Sequence, residues 1–241
     1  MLGWMDWALF VLVVVGLALR AWFGMRALRR LAPERLEVMR PRLWLRAIAS
    51  QWALVALLVS LWLARHRSFV GLGLAPRPSW GLGGIALGVA MAWLLLRSQL
   101  SQLGSRPETV EKLRRRLAPV KALMPSTRAQ WPGFVALCVT AGVCEELLFR
   151  GFVTWLLAHL VGSFALVALA QAALFGLAHG YQGWRGVLLT GMVGAFMAAL
   201  VWVSGSLWGA MLVHALMDLH AGQLALRAAE IPVGAGRDAP A

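Results

Sequence analysis

The chain is short of acids, of charge in general and of cysteine. Aspartate and glutamate total 10 in 241 residues, against 23 lysines and arginines. Only 14% of the chain is charged, while 60% is hydrophobic. That balance excludes a soluble domain, because several apolar runs approach the roughly twenty residues that cross a bilayer. Two cysteines, Cys138 and Cys144, fall inside one such run. They exclude a disulfide framework, and C-x5-C is not a metal motif. The HExxH spacing of common zincins is missing. No proline stands between Pro132 and Pro232, so a kink in that half must come from glycine or an inserted polar group. No internal or inverted repeat is visible. The run Ala8–Leu19 has neither a basic flank before it nor a small-residue cleavage site after it. It is expected to be the core of a first transmembrane helix that starts outside, rather than a signal peptide.

What remains predicts an all-α, polytopic membrane protein of about seven transmembrane helices. Their expected spans are 4–24, 43–64, 79–96, 132–160, 163–179, 185–204 and 206–226. Residues 1–131 form a three-helix region with basic loops, 132–229 a core of four helices, and 230–241 a disordered tail. The formal charge of +13 sits mostly in loops, as the positive-inside rule and contact with anionic lipid require, and not in a nucleic-acid surface. Loops one and three carry most cations and are expected in the cytoplasm. The Ala/Leu/Arg/Trp-rich composition points to the inner membrane of a bacterium. Ser105, Glu108 and Pro107 form a capping pattern before a basic amphipathic segment to Val120, expected to lie on the membrane surface. Trp22, Trp44, Trp62, Trp80 and Trp131 are expected to form an aromatic belt.

Between Pro132 and Leu226 the only acids are Glu145, Glu146 and Asp218, and the only full cations are Arg150 and Arg185. A charge at the bilayer centre costs about 2.5–3.5 kcal/mol. Glu145, Glu146, Arg150 and Asp218, left unpaired, would together cost on the order of 10 kcal/mol, comparable with the net stability of a domain. They must be paired, wetted or used. Glu146 and Arg150 stand at i,i+4 in the favourable order for an ion pair on one helix. Glu145 points about 100° away and has no partner on its own helix, so it is available as a general base in a low-dielectric pocket. The bland alternative is a structural ion-pair network between helices. Gly151 is the expected break in a run too long for the bilayer. Phe175 and His179 share a helix face, as do His214 and Asp218. The first pair can wall a site and hold water. The second can bind metal, donate hydrogen bonds to an oxyanion, or simply stabilise its own helix.

In this order the three patterns, Glu145-Glu146-Leu-Leu-Phe-Arg150, Phe175-Gly-Leu-Ala-His179 and His214-Ala-Leu-Met-Asp218, resemble the CPBP family of intramembrane endopeptidases. This family is also known as the CAAX-protease, bacteriocin-processing or Abi family. The likeness covers about 132–226. It implies a glutamate-dependent protease in which Glu145 and His179 activate a water. His214 and Asp218 would stabilise the oxyanion, and Glu146, Arg150 and Phe175 would support them. No cofactor is implied, and the substrate would be a membrane-anchored protein or peptide. Asp218 stands where the better-known members carry asparagine. An ionised carboxylate would repel an oxyanion, so Asp218 is expected either to be protonated or to orient His214. The alternatives are a zinc protease using His179, His214 and a carboxylate, and a non-catalytic scaffold, immunity or transport protein.

Overall fold

The structure is a computed structural model that describes residues 2–74, 80–102 and 107–231. Eight helices are described: α1 Trp4–Leu28, α2 Pro33–Ala64, α3 Trp80–Gln102, α4 Pro107–Leu117, α5 Arg128–Ala158, α6 Phe164–Ala178, α7 Trp184–Ser204 and α8 Leu207–Glu230. No strand occurs among the described residues. The protein is an all-α polytopic membrane protein.

Four of these helices, α1, α2, α5 and α7, are long and apolar enough to cross a membrane. The other expected spans are less regular. Helix α6 has 15 residues, about 22 Å at 1.5 Å per residue and short of a full crossing. In α3 the apolar stretch is Ala86–Leu95. Helix α8 is long enough at 24 residues, but His214, Asp218, His220 and Gln223 dilute its apolarity. The outer surface still carries large apolar side chains, such as Leu87, Leu169 and Met192, as lipid contact requires.

Helix ends gather into two layers. At one end Arg29 donates to the carbonyls of Pro119 and Tyr181, at 3.2 and 2.7 Å, and Arg128 pairs with Glu230 at 3.1 Å. At the other, Arg67 grips the fully buried Asp6 with two hydrogen bonds of 2.6 and 2.9 Å. Its guanidinium also lies over the rings of Trp62 and Trp155. This clamp ties the start of α1 to the end of α2 and to α5. Between the layers, Leu9 and Val13 of α1, Leu58 and Trp62 of α2, and Leu148, Phe149, Phe152 and Leu156 of α5 form one core with Phe175 and Met211.

Several expectations change. Trp44 and Trp62 are core residues, 2% and 0% exposed, and not part of a belt. Their indole N–H groups donate to the carbonyls of Leu123 and Ser68. Helix α4 does not reserve its apolar face for lipid: Val110 and Leu113 pack against Leu224 and Ala228 of α8. Arg114 donates to the carbonyls of Ala228 and Ile231 at the end of α8, satisfying two of the groups that a helix leaves open there. The chain does not break at Gly151. Helix α5 runs through it in a widened π-helical turn, Glu146–Val153, and stops at His159. The absence of a side chain lets Gly151 approach the Leu72 carbonyl. The Ser105 cap and the tail beyond 231 lie outside the described residues.

Two glycines set the crossings that matter for the site. A Cβ on Gly142 would stand 2.7 Å from the Met211 carbonyl and 2.9 Å from the Ala215 amide of α8. One on Gly176 would stand 2.5 Å from the Val187 carbonyl of α7. Small residues allow such backbone contact, the main source of helix affinity where lipid supplies no hydrophobic drive. Gly142→Ala should therefore destabilise the protein by about 1–3 kcal/mol through overpacking against backbone. Thermal unfolding in detergent, compared with Gly83→Ala at a site with open space, measures it.

Candidate active site

The π-helical turn of α5 starts directly after Glu145. Insertions of this type rotate side chains out of α-helical register and often occur at functional sites. Here the two adjacent carboxylates face different surroundings.

Glu146 is fully buried. Its Oε1 accepts from Arg150 Nη1 at 3.0 Å and from His214 Nδ1 at 2.7 Å. Arg150, 4% exposed, places its guanidinium 3.9 Å from the centroid of the Phe175 ring. The expected i,i+4 pair is therefore present, and it also reaches across to α8. A carboxylate only accepts, so the His214 Nδ1 carries the hydrogen and Nε2 is free. That Nε2 is 3.8 Å from Asp218 Oδ2, beyond hydrogen-bond reach. The residue that orients His214 is Glu146, and not Asp218, because Glu146 projects from the facing helix onto Nδ1 while Asp218 sits one turn further along α8.

Glu145 is only partly enclosed, with 16% of its side chain exposed. Its Oε1 accepts from Gln51 Nε2 of α2 at 3.2 Å, and its Oε2 lies 3.8 Å from His179 Nε2. His179 sits one residue past the end of α6, and its ring packs 4.7 Å from Phe175. Its Nδ1 is 2.9 Å from the Phe175 carbonyl. A carbonyl can only accept, so Nδ1 carries a hydrogen and Nε2 is the nitrogen turned toward Glu145. At 3.8 Å the two atoms are beyond direct hydrogen-bond reach.

Glu145, His179, His214 and Asp218 all line one cavity of about 460 Å³. Leu17, Leu28, Leu43, Leu123 and Phe134 give it apolar walls, and Arg20 and Arg46 line it too. Arg20 donates to the Ser50 hydroxyl and, at 3.2 Å, to the Arg46 carbonyl. Glu146 and Arg150 sit behind the cavity wall. Thus all seven motif residues gather here: four line the cavity and three support it. Sequence reasoning missed Gln51. Its signal was an amide in the middle of an apolar span, where a polar side chain needs a partner. Cys138 and Cys144 are free and buried.

A zinc site needs three donors directed at one point. Among the described residues no group of three His, Cys, Asp or Glu side chains is disposed to hold a metal ion.

Residues 127–220 match the family described as type II CAAX prenyl endopeptidase Rce1-like. No curated protein and no solved structure matches the chain.

The sealed triad makes a testable demand. Arg150→Met should leave the Glu146 charge buried with only His214 to answer it, at a cost of about 3–5 kcal/mol. Adding Glu146→Gln to that variant should recover part of the loss, read as a non-additive term in a double-mutant cycle of thermal unfolding.

Proposed function

We propose that this chain, whose residues 127–220 match the CAAX-type endopeptidase family model, is a membrane protease that cuts peptide bonds with a water held by Glu145 and His179. The observation that carries this reading is the facing pair Glu145 Oε2 and His179 Nε2, 3.8 Å apart on one cavity, a separation that a single water can bridge.

A water bridging the two groups loses a proton to Glu145 as its oxygen attacks the scissile carbonyl carbon. The carbonyl π electrons move onto oxygen, giving a tetrahedral oxyanion. His214, held through Nδ1 by Glu146, presents Nε2 on the same cavity. When that nitrogen carries a proton it donates to the oxyanion, in the manner of a preorganised oxyanion hole. Asp218 contributes a second donor in its protonated form. Collapse of the intermediate expels the amine, which takes the proton held by Glu145. Water is consumed, one peptide bond breaks, and a carboxyl and an amine result.

The substrate we infer is a membrane-associated protein or peptide. The cavity walls are apolar, and the helices around it are those of an integral membrane protein. An apolar anchor would bring a scissile bond to this depth. The excess of cations at the layer with Arg29 and Arg128 suits anionic lipid, and we place the protein in a bacterial cytoplasmic membrane with that layer inside.

Glu145→Gln should lower cleavage by about 10²-fold or more while leaving folding intact. The assay is purified protein with an internally quenched peptide carrying a farnesylated cysteine four residues from its carboxyl terminus. Comparison of terminal peptides in membranes from cells with the wild type or Glu145→Gln extends it to native substrates. Full activity in Glu145→Gln would end the glutamate mechanism. Loss of wild-type activity on exhaustive chelation, restored by zinc, would favour metal catalysis instead.

A further inference from the structure

Gln51 belongs to none of the three motifs and lies outside residues 127–220, yet it contacts the acid at the centre of the proposed reaction. We propose that Gln51 is a positioning residue that holds Glu145 in the rotamer aimed at His179. The inference rests on the protease reading for its kinetic consequence, but not for the contact itself.

A free glutamate side chain has three rotatable bonds, and burying one in a single conformation costs entropy. Glu145 has no partner on its own helix. Its Oε1 is fixed by the Gln51 amide nitrogen at 3.2 Å, which leaves Oε2 facing His179. The two oxygens thus have separate tasks, one structural and one chemical. The direction of the amide is not arbitrary. A carboxylate only accepts, so the NH₂ end must face it and the amide oxygen must point away.

That oxygen is the second observation. Gln51 Oε1 is buried and no protein group donates to it, while Gln51 lines the same cavity as Glu145 and His179. A buried acceptor left open works against folding. A leucine of similar size at this position would remove the open acceptor and pack against the apolar walls. The amide is therefore poorly explained as a stabilising feature, and well explained as a hold on Glu145. Residues that work against stability in this way concentrate at functional sites. Gln51 also gives the first helices a reason to share a chain with the motif-bearing half: without α2, Glu145 has nothing to fix its Oε1.

The test compares wild type, Gln51→Leu and Gln51→Asn with the quenched farnesylated peptide. Gln51→Leu should lower kcat about 10–100-fold, the scale of a misplaced catalytic group, with KM within about threefold. Its melting temperature in detergent should equal or exceed that of the wild type. Gln51→Asn, one methylene too short to reach, should lose kcat similarly. Unchanged kcat in Gln51→Leu, or a loss of kcat matched by a fall in melting temperature, overturns the proposal. A second measurement stands whether or not the peptide is cleaved. The infrared difference between wild type and Glu145→Gln isolates the Glu145 carboxylate band, and the same difference in the Gln51→Leu background should show it shifted. An unshifted band overturns the contact. A shifted band with no cleavage by the wild type keeps the contact and counts against the protease reading alone.

Discussion

A carboxylate sealed from water is the constraint on which the rest of the structure depends. Glu146 has no exposed surface, so its charge must be answered entirely by protein. Arg150 answers from the same helix and His214 from α8, both on one oxygen. The arginine needs its own shelter and finds it against the Phe175 ring. One charge therefore ties together α5, α6 and α8. Buried ion pairs are weak evidence of net stability, because desolvation offsets much of the attraction. Their well-attested use is to specify an arrangement. Here the arrangement specified is the direction of two imidazoles, His214 by direct hydrogen bond and His179 through its packing under Phe175.

Backbone geometry makes this convergence possible. Gly142 lets α5 and α8 touch at Met211 and Ala215, one turn before Glu146 and beside His214. Gly176 lets α6 meet α7 next to Phe175. The π-helical turn that begins at Glu146 then separates the two adjacent acids. The same features explain why α8 is less apolar than a free span. His214 and Asp218 face a cavity and His220 is buried, the arrangement in which ionisable groups persist in membranes.

Much of this was legible in the residues, and the rest was hidden for identifiable reasons. The i,i+4 pair Glu146–Arg150 is local, and local spacing predicts it. The isolation of Glu145 on its own helix follows from the same geometry. The partner that holds it, Gln51, is 94 positions away, and no periodicity connects residues at that distance. The Asp6–Arg67 clamp escaped for the same reason, although an acid and an arginine near span ends both needed an explanation. Trp44 and Trp62 misled because a tryptophan at a span end suits an interface and a core equally well by sequence. Gly151 misled in a different way. Glycine is a fair signal for a break, but here it serves the approach of the Leu72 carbonyl. Asp218 shares a helix face with His214, which made it one candidate for orienting that ring. A facing helix supplied a shorter bond.

The three acids can now be separated by what surrounds them. Glu146 is locked by two donors and shut away from the cavity, so it has no spare reach toward water. Asp218 is the wettest of the three, with 42% of its side chain exposed, and solvent there weakens any interaction it makes with a developing charge. Glu145 lies between these extremes. It touches the cavity, one oxygen is held by Gln51 and the other faces the His179 ring at 3.8 Å. A general base must be within reach of the proton it takes and must be free to release it afterward. Of the three, Glu145 is the one these surroundings suit to the proposed role, because its neighbour in sequence has absorbed the arginine.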